Sequence, residues 1–95
     1  MKILNKEEKE VAVLDLGIVE AGKTKDYEYY LYNDSSVETV DLKVEISHKE
    51  VEILDFPKRL DANTKGLLKI KWSPSITIKQ GLKTVIKVSG AELYR

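Results

Sequence analysis

Three stretches of this chain change character at every second residue, and that period decides the fold class. Val40, Leu42, Val44 and Ile46 alternate with Asp41, Lys43, Glu45 and Ser47. Leu68, Ile70 and Trp72 alternate with Lys69 and Lys71, and Leu82, Thr84, Ile86 and Val88 with Lys83, Val85, Lys87 and Ser89. A period of two places successive side chains on opposite faces of a strand, so each stretch reads as a half-buried strand. Four tyrosines within residues 27–32 suit a strand as well. Alternation puts Tyr27, Tyr29 and Leu31 on one face and Glu28, Tyr30 and Tyr32 on the other. Residues 11–16, ended by Gly17, residues 51–56, ended by Pro57, and a short piece around Ile76 and Ile78 complete the set. Turn signals lie at Asn33-Asp34-Ser35-Ser36, at residues 61–66, at Ser73-Pro74 and at Gln80-Gly81. About seven short strands with no amphipathic helix predict an all-β fold, a single immunoglobulin-like antiparallel β-sandwich.

The chain's 95 residues suit one domain. Residues 1–10, rich in charge, read as an N-terminal arm, and residues 11–95 as the sandwich. Lys plus Arg and Asp plus Glu number 16 each, so no net charge draws the chain to nucleic acid or an anionic membrane. Arg occurs only at Arg59 and Arg95, which argues further against nucleic-acid readout. The lack of Cys excludes disulfides, thiolate zinc sites and a Cys nucleophile. The first residues lack the apolar stretch of a cleavable signal, and no run approaches the ~20 apolar residues of a membrane helix.

One motif points elsewhere. Gly17-Ile18-Val19-Glu20-Ala21-Gly22-Lys23-Thr24 fits the phosphate-binding loop pattern, and Val51-Glu52-Ile53-Leu54-Asp55 imitates the apolar run ending in a magnesium-binding Asp. Such a loop must run straight into a helix, whose N-terminus holds the phosphates. Here it runs into the tyrosine-rich strand, and Glu20 would put a negative charge inside the anion cradle. The expectation is therefore a strand, a turn at Gly22 and a second strand.

The order of several short phrases resembles a known family. Asp15-Leu16-Gly17, then Gly22, then Tyr29-Tyr30-Leu31-Tyr32-Asn33 are followed by Pro57, Leu60, a turn, and Leu68, Ile70 and Trp72-Ser73-Pro74. Val88-Ser89-Gly90 closes the series. This series resembles the immunoglobulin-like domains of the ASPM–SPD-2–Hydin and major sperm protein type, found also in bacterial and phage modules. The resemblance implies a noncatalytic domain that binds proteins or decorates large assemblies. It spans roughly residues 11–92 and departs from the pattern at 75–81.

Candidate site residues are few. His48, the only His, has no carboxylates spaced to join it around a metal, and Ser35, Ser36, His48 and Asp55 show no spacing of a catalytic triad. The expectation is no enzyme, no catalytic or metal residue and no cofactor. Trp72 shares the parity of Leu68 and Ile70 and reads as core, with Leu42, Val44, Ile70 and Ile86 around it. Tyr30 and Tyr32, on the opposite face from Tyr29 and Leu31, are the candidate protein-binding residues, since Tyr is enriched at contact hot spots. Lys69, Lys71, Lys83 and Lys87 read as solvated ladders. The functional expectation is a structural or interaction module within a larger assembly, such as a capsid decoration protein of a phage virion. The alternative is an intracellular adaptor that binds a peptide on a sheet edge. The partner is a protein, with no nucleic acid, membrane or small-molecule substrate, and the location is the virion or, failing that, the cytoplasm.

Overall fold

A computed structural model of the chain describes residues 1–94. Among them are seven strands and no helix: β1 (Lys2–Leu4), β2 (Val13–Gly17), β3 (Lys25–Tyr32), β4 (Glu38–Ile46), β5 (Val51–Asp55), β6 (Lys65–Trp72) and β7 (Leu82–Leu93). They form two antiparallel sheets, in the orders β1-β3-β6-β5 and β2-β7-β4. The four-stranded order matches the A-B-E-D sheet of the immunoglobulin arrangement if β1 and β2 are two halves of a first strand that changes sheets. In the other sheet, β2 takes the place beside β7 that a C-terminal strand holds in that arrangement.

The core lies between the sheets, and the alternating residues supply it. Leu68, Ile70 and Trp72 of β6 are fully buried, as are Leu31 of β3 and Leu14 of β2. Leu82, Thr84 and Ile86 of β7 and Leu42 and Val44 of β4 complete the opposite wall. Two polar side chains tie elements together from within the fold. The Tyr27 hydroxyl, on β3, donates to the Leu16 carbonyl of β2 at 2.6 Å. Asn33, just past β3 and 1 % exposed, donates through Nδ2 to the carbonyls of Val37, Leu60 and Asp61 at 2.9, 3.1 and 3.2 Å. Its Oδ1 accepts from the Ser35 amide, so the Asn-Asp-Ser-Ser turn is built around a satisfied buried amide.

Three local expectations differ from the structure. The segment 1–10, read as an arm, contains an edge strand, because Ile3 finds a place in the core at 8 % exposure beside Leu31. Residues 5–9 form a turn in which the Asn5 side chain accepts from the amides of Glu7 and Lys9. Residues 76–78 are not a strand: Ile76 is 66 % exposed, and Thr77 instead accepts the Ala21 amide through its hydroxyl. The count of seven therefore holds with β1 in place of that piece. In β4, Val40 does not point into the core. A bulge between Val40 and Lys43, with Asp41 at φ 54°, shifts the parity so that Thr39 is buried instead. The bulge is accommodated by Gly90 on β7, where a Cβ would come within 2.7 Å of Thr39 Cγ2 and 2.9 Å of Leu42 Cδ2.

Candidate functional site

The outer face of the β1-β3-β6-β5 sheet divides into two zones, and the division follows from register. Toward the start of β3, Asp26 lies opposite Lys71 and Glu28 opposite Lys69, while β5 brings Glu52 to Lys71 and Asp55 to Lys69. Opposite charges thus face one another across three strands, and Lys71 Nζ lies 3.2 Å from Glu52. Such exposed pairs contribute about 0–1 kcal/mol each.

Toward the end of β3 the face turns apolar. Tyr30 lies between Leu4 of β1 and Leu67 of β6, and Tyr32 between Lys2 and Lys65. Leu67 is 37 % exposed, and Leu4, Tyr30 and Tyr32 are half-buried. Lys65 Nζ sits over the Tyr30 ring, 4.7 Å from its centroid, and also pairs with Glu8 from the turn after β1. Lys2 Nζ lies 3.9 Å from Glu10. The patch is therefore aromatic and aliphatic at its centre and charge-balanced at its rim. Tyr30 and Tyr32 point outward as alternation placed them, with Tyr29 and Leu31 inward. The neighbours Leu4, Leu67 and Lys65 were not legible from spacing, because a cross-strand neighbour is set by pairing and not by distance along the chain.

The remaining candidates are dispersed. Ser36 precedes β4 and His48 follows it, so about 25 Å of strand separates them. Ser35 Oγ accepts from the Val37 amide, and His48 Nδ1 from the Glu50 amide. The His48 ring meets Trp72 edge-on, with centroids 6.4 Å apart. Among the described residues no group of three His, Asp or Glu is placed to hold a metal ion. Among the described residues no helix is long and apolar enough to cross a membrane.

In the glycine-lysine-threonine loop, four amides are used within the fold: Gly17 N–H to Asp15 Oδ1, Ala21 N–H to Thr77 Oγ1, Gly22 N–H to the Pro74 carbonyl and Lys23 N–H to the Glu20 carbonyl. Gly22 sits at φ 81°, the conformation that closes the turn, and Lys23 reaches Glu20 at 3.8 Å. The chain then enters β3 directly. A phosphate loop needs a following helix and its glycine-lysine amides turned to the anion; here a strand follows, and the Gly22 and Lys23 amides are bonded within the fold.

Comparison with known proteins found no matching family model, no matching curated protein and no matching solved structure.

Proposed function

We propose that this chain is a noncatalytic interaction module that docks through the outer face of β1, β3 and β6. The observation that carries the reading is the tyrosine patch: two aromatic side chains, flanked by Leu4 and Leu67, on a rigid three-strand platform. Rigid aromatics held by strands supply contact area at little entropic cost, and truncating such an anchor can cost more than ~2 kcal/mol. The charge-balanced rim suits a protein surface better than nucleic acid, which would demand a concentrated positive field. The more specific form of the proposal is a component of a larger assembly, such as a capsid decoration protein of a phage particle. Only the sequence resemblance favours a particle over other assemblies. The alternative, an intracellular adaptor that takes a peptide on a sheet edge, needs an edge with unpaired backbone groups, and the second half of β7, past its pairing with β2, offers such a stretch.

The test is occupancy. Assemblies isolated from the native host by sedimentation should retain the wild-type chain and lose at least roughly tenfold of a Tyr30→Ser, Tyr32→Ser variant. Wild-type occupancy by a folded double variant would remove the tyrosine face from consideration.

A further inference from the structure

The only histidine of the chain sits in the turn that joins β4 to β5 and holds that turn as an acceptor. His48 Nδ1 accepts the Glu50 amide at 3.2 Å, and the His48 carbonyl accepts the Val51 amide at 3.1 Å. An imidazole nitrogen accepts only when it carries no proton. The geometry therefore requires the neutral ring with its proton on Nε2.

Glu50 passes the connection on. Its carbonyl accepts the Ser73 amide at 3.4 Å, and its carboxylate accepts the Ser75 amide at 3.0 Å. These serines begin the segment 73–81 between β6 and β7. That segment in turn supports the glycine-lysine-threonine loop. The Pro74 carbonyl accepts the Gly22 amide, and the Thr77 hydroxyl accepts the Ala21 amide. A relay of hydrogen bonds thus leads from the His48 ring through Glu50 to a loop distant in sequence.

Protonation reverses the first link. Imidazolium is a donor at both nitrogens, so it cannot keep the Glu50 amide, whichever way the ring turns. The group it attracts is the carboxylate of that same residue. The Ser75 hydrogen bond, opposed by burial and helped by the charges of His48 and Lys49, holds the Glu50 carboxyl below its ordinary value of 4.5. Glu50 is therefore ionised throughout the range of about pH 5 to 8 in which a histidine charges. On the neighbouring elements, Lys71 of β6 pairs with Glu52, Lys25 of β3 lies over the Tyr27 ring, and Lys87 of β7 stands opposite Glu45. Trp72, which meets the ring edge-on, is uncharged.

We propose that His48 is a pH-operated latch on the segment 73–81. Its neutral ring leaves the Glu50 carboxylate on Ser75. Its protonated ring draws that carboxylate away and releases the segment, which carries Ile76 at 66 % exposure. An ion pair replaces the lost acceptor bond, so the two arrangements exchange without unfolding the sandwich. No residue of the tyrosine face takes part, so this reading and the docking proposal fail separately.

The test is a titration of the full chain from about pH 8 to 5, followed by nuclear magnetic resonance. At the upper end the ring should be the Nε2–H tautomer. The Glu50 and Ser75 amide signals should shift with the midpoint of the ring itself. Protection of the Ser75 amide, corrected for the intrinsic pH dependence of exchange, should fall about fivefold in acid. Trp72 emission should follow the same midpoint without the red shift of unfolding. His48→Asn offers an amide oxygen in place of Nδ1 and cannot be charged, so it should keep Ser75 protection constant over the range. Glu50→Gln still accepts from Ser75 but forms no ion pair, and should keep it constant too. The proposal is overturned if the neutral ring carries its proton on Nδ1 or if the Ser75 amide ignores the titration of the ring. It is also overturned if His48→Asn loses Ser75 protection in acid as the wild type does. Should either variant fail to fold, the wild-type titration decides alone.

Discussion

The β3–β6 pair shows the same residue types meeting two fates. Inward, Tyr29 lies opposite Leu68 and Tyr27 opposite Ile70, against a wall completed by Trp72. Outward, Tyr30 lies opposite Leu67, and Tyr32 opposite Lys65. Tyr29 is 9 % exposed, and Tyr27 spends its hydroxyl on the Leu16 carbonyl of the facing sheet. Tyr30 and Tyr32 keep part of their rings in water, with a lysine over one of them. Face, not residue type, divides tyrosines that hold the sandwich together from tyrosines left partly in water.

The strongest way to break that comparison is Trp72→Ala on the inner face. Its cost should be about 3–5 kcal/mol, read as a shift in the urea midpoint. A domain of this size has roughly 5–14 kcal/mol in all, so the variant should be largely unfolded at modest denaturant. An emission maximum of wild-type Trp72 typical of full water exposure would invert the face assignment.

Asn33→Ala comes next, at about 1–3 kcal/mol, since it strands the Val37 carbonyl and the Ser35 amide, while the Leu60 and Asp61 carbonyls keep the Thr39 and Thr64 amides as donors. Equilibrium unfolding measures it, and a change below ~1 kcal/mol would mean that water replaces the amide at no cost.

Tyr27→Phe sharpens the comparison by removing one hydroxyl, for about 0.5–1.5 kcal/mol. It also carries a pH signature. Burial, first, and then the charges of Tyr29 and Asp15 hold the Tyr27 phenol above its ordinary value of 10.0. Burial, then Asp15, does the same for Tyr29. The unfolded chain therefore sheds these protons first. Their contribution to stability is intact below pH 10 and is lost as pH rises through the raised folded values. Stability measured from pH 9 upward should fall less steeply in Tyr27→Phe than in the wild type.

The smallest effect on folding belongs to the outer face. Tyr30→Ser with Tyr32→Ser should cost about 1 kcal/mol in strand preference and packing, while, on the proposed docking role, occupancy on an assembly should fall at least roughly tenfold. Neutralising Lys71, whose ion pair with Glu52 is exposed, should change stability by about 0–1 kcal/mol and do nothing to attachment. Thermal unfolding and assembly occupancy, taken together, separate the two faces.

The sequence alone determined the parity of β3, β6 and β7, because the period of two is local: each side chain's face follows from its neighbour's. It also decided against a phosphate loop, since four tyrosines followed Lys23-Thr24 where a helix had to begin. Other features needed the folded molecule. Val40 looked inward until Asp41 formed a bulge opposite Gly90, a shift that depends on the partner strand. Ile3 joined the core because Leu31 lay beside it, and Ile76 left the sheet where no strand came to meet it. Leu4, Leu67 and Lys65 gathered around Tyr30 through register, and the second half of β7 lost its β2 neighbour where the chain crossed back to β1. Each of these is a non-local pairing, and a pairing between distant residues leaves no period along the chain.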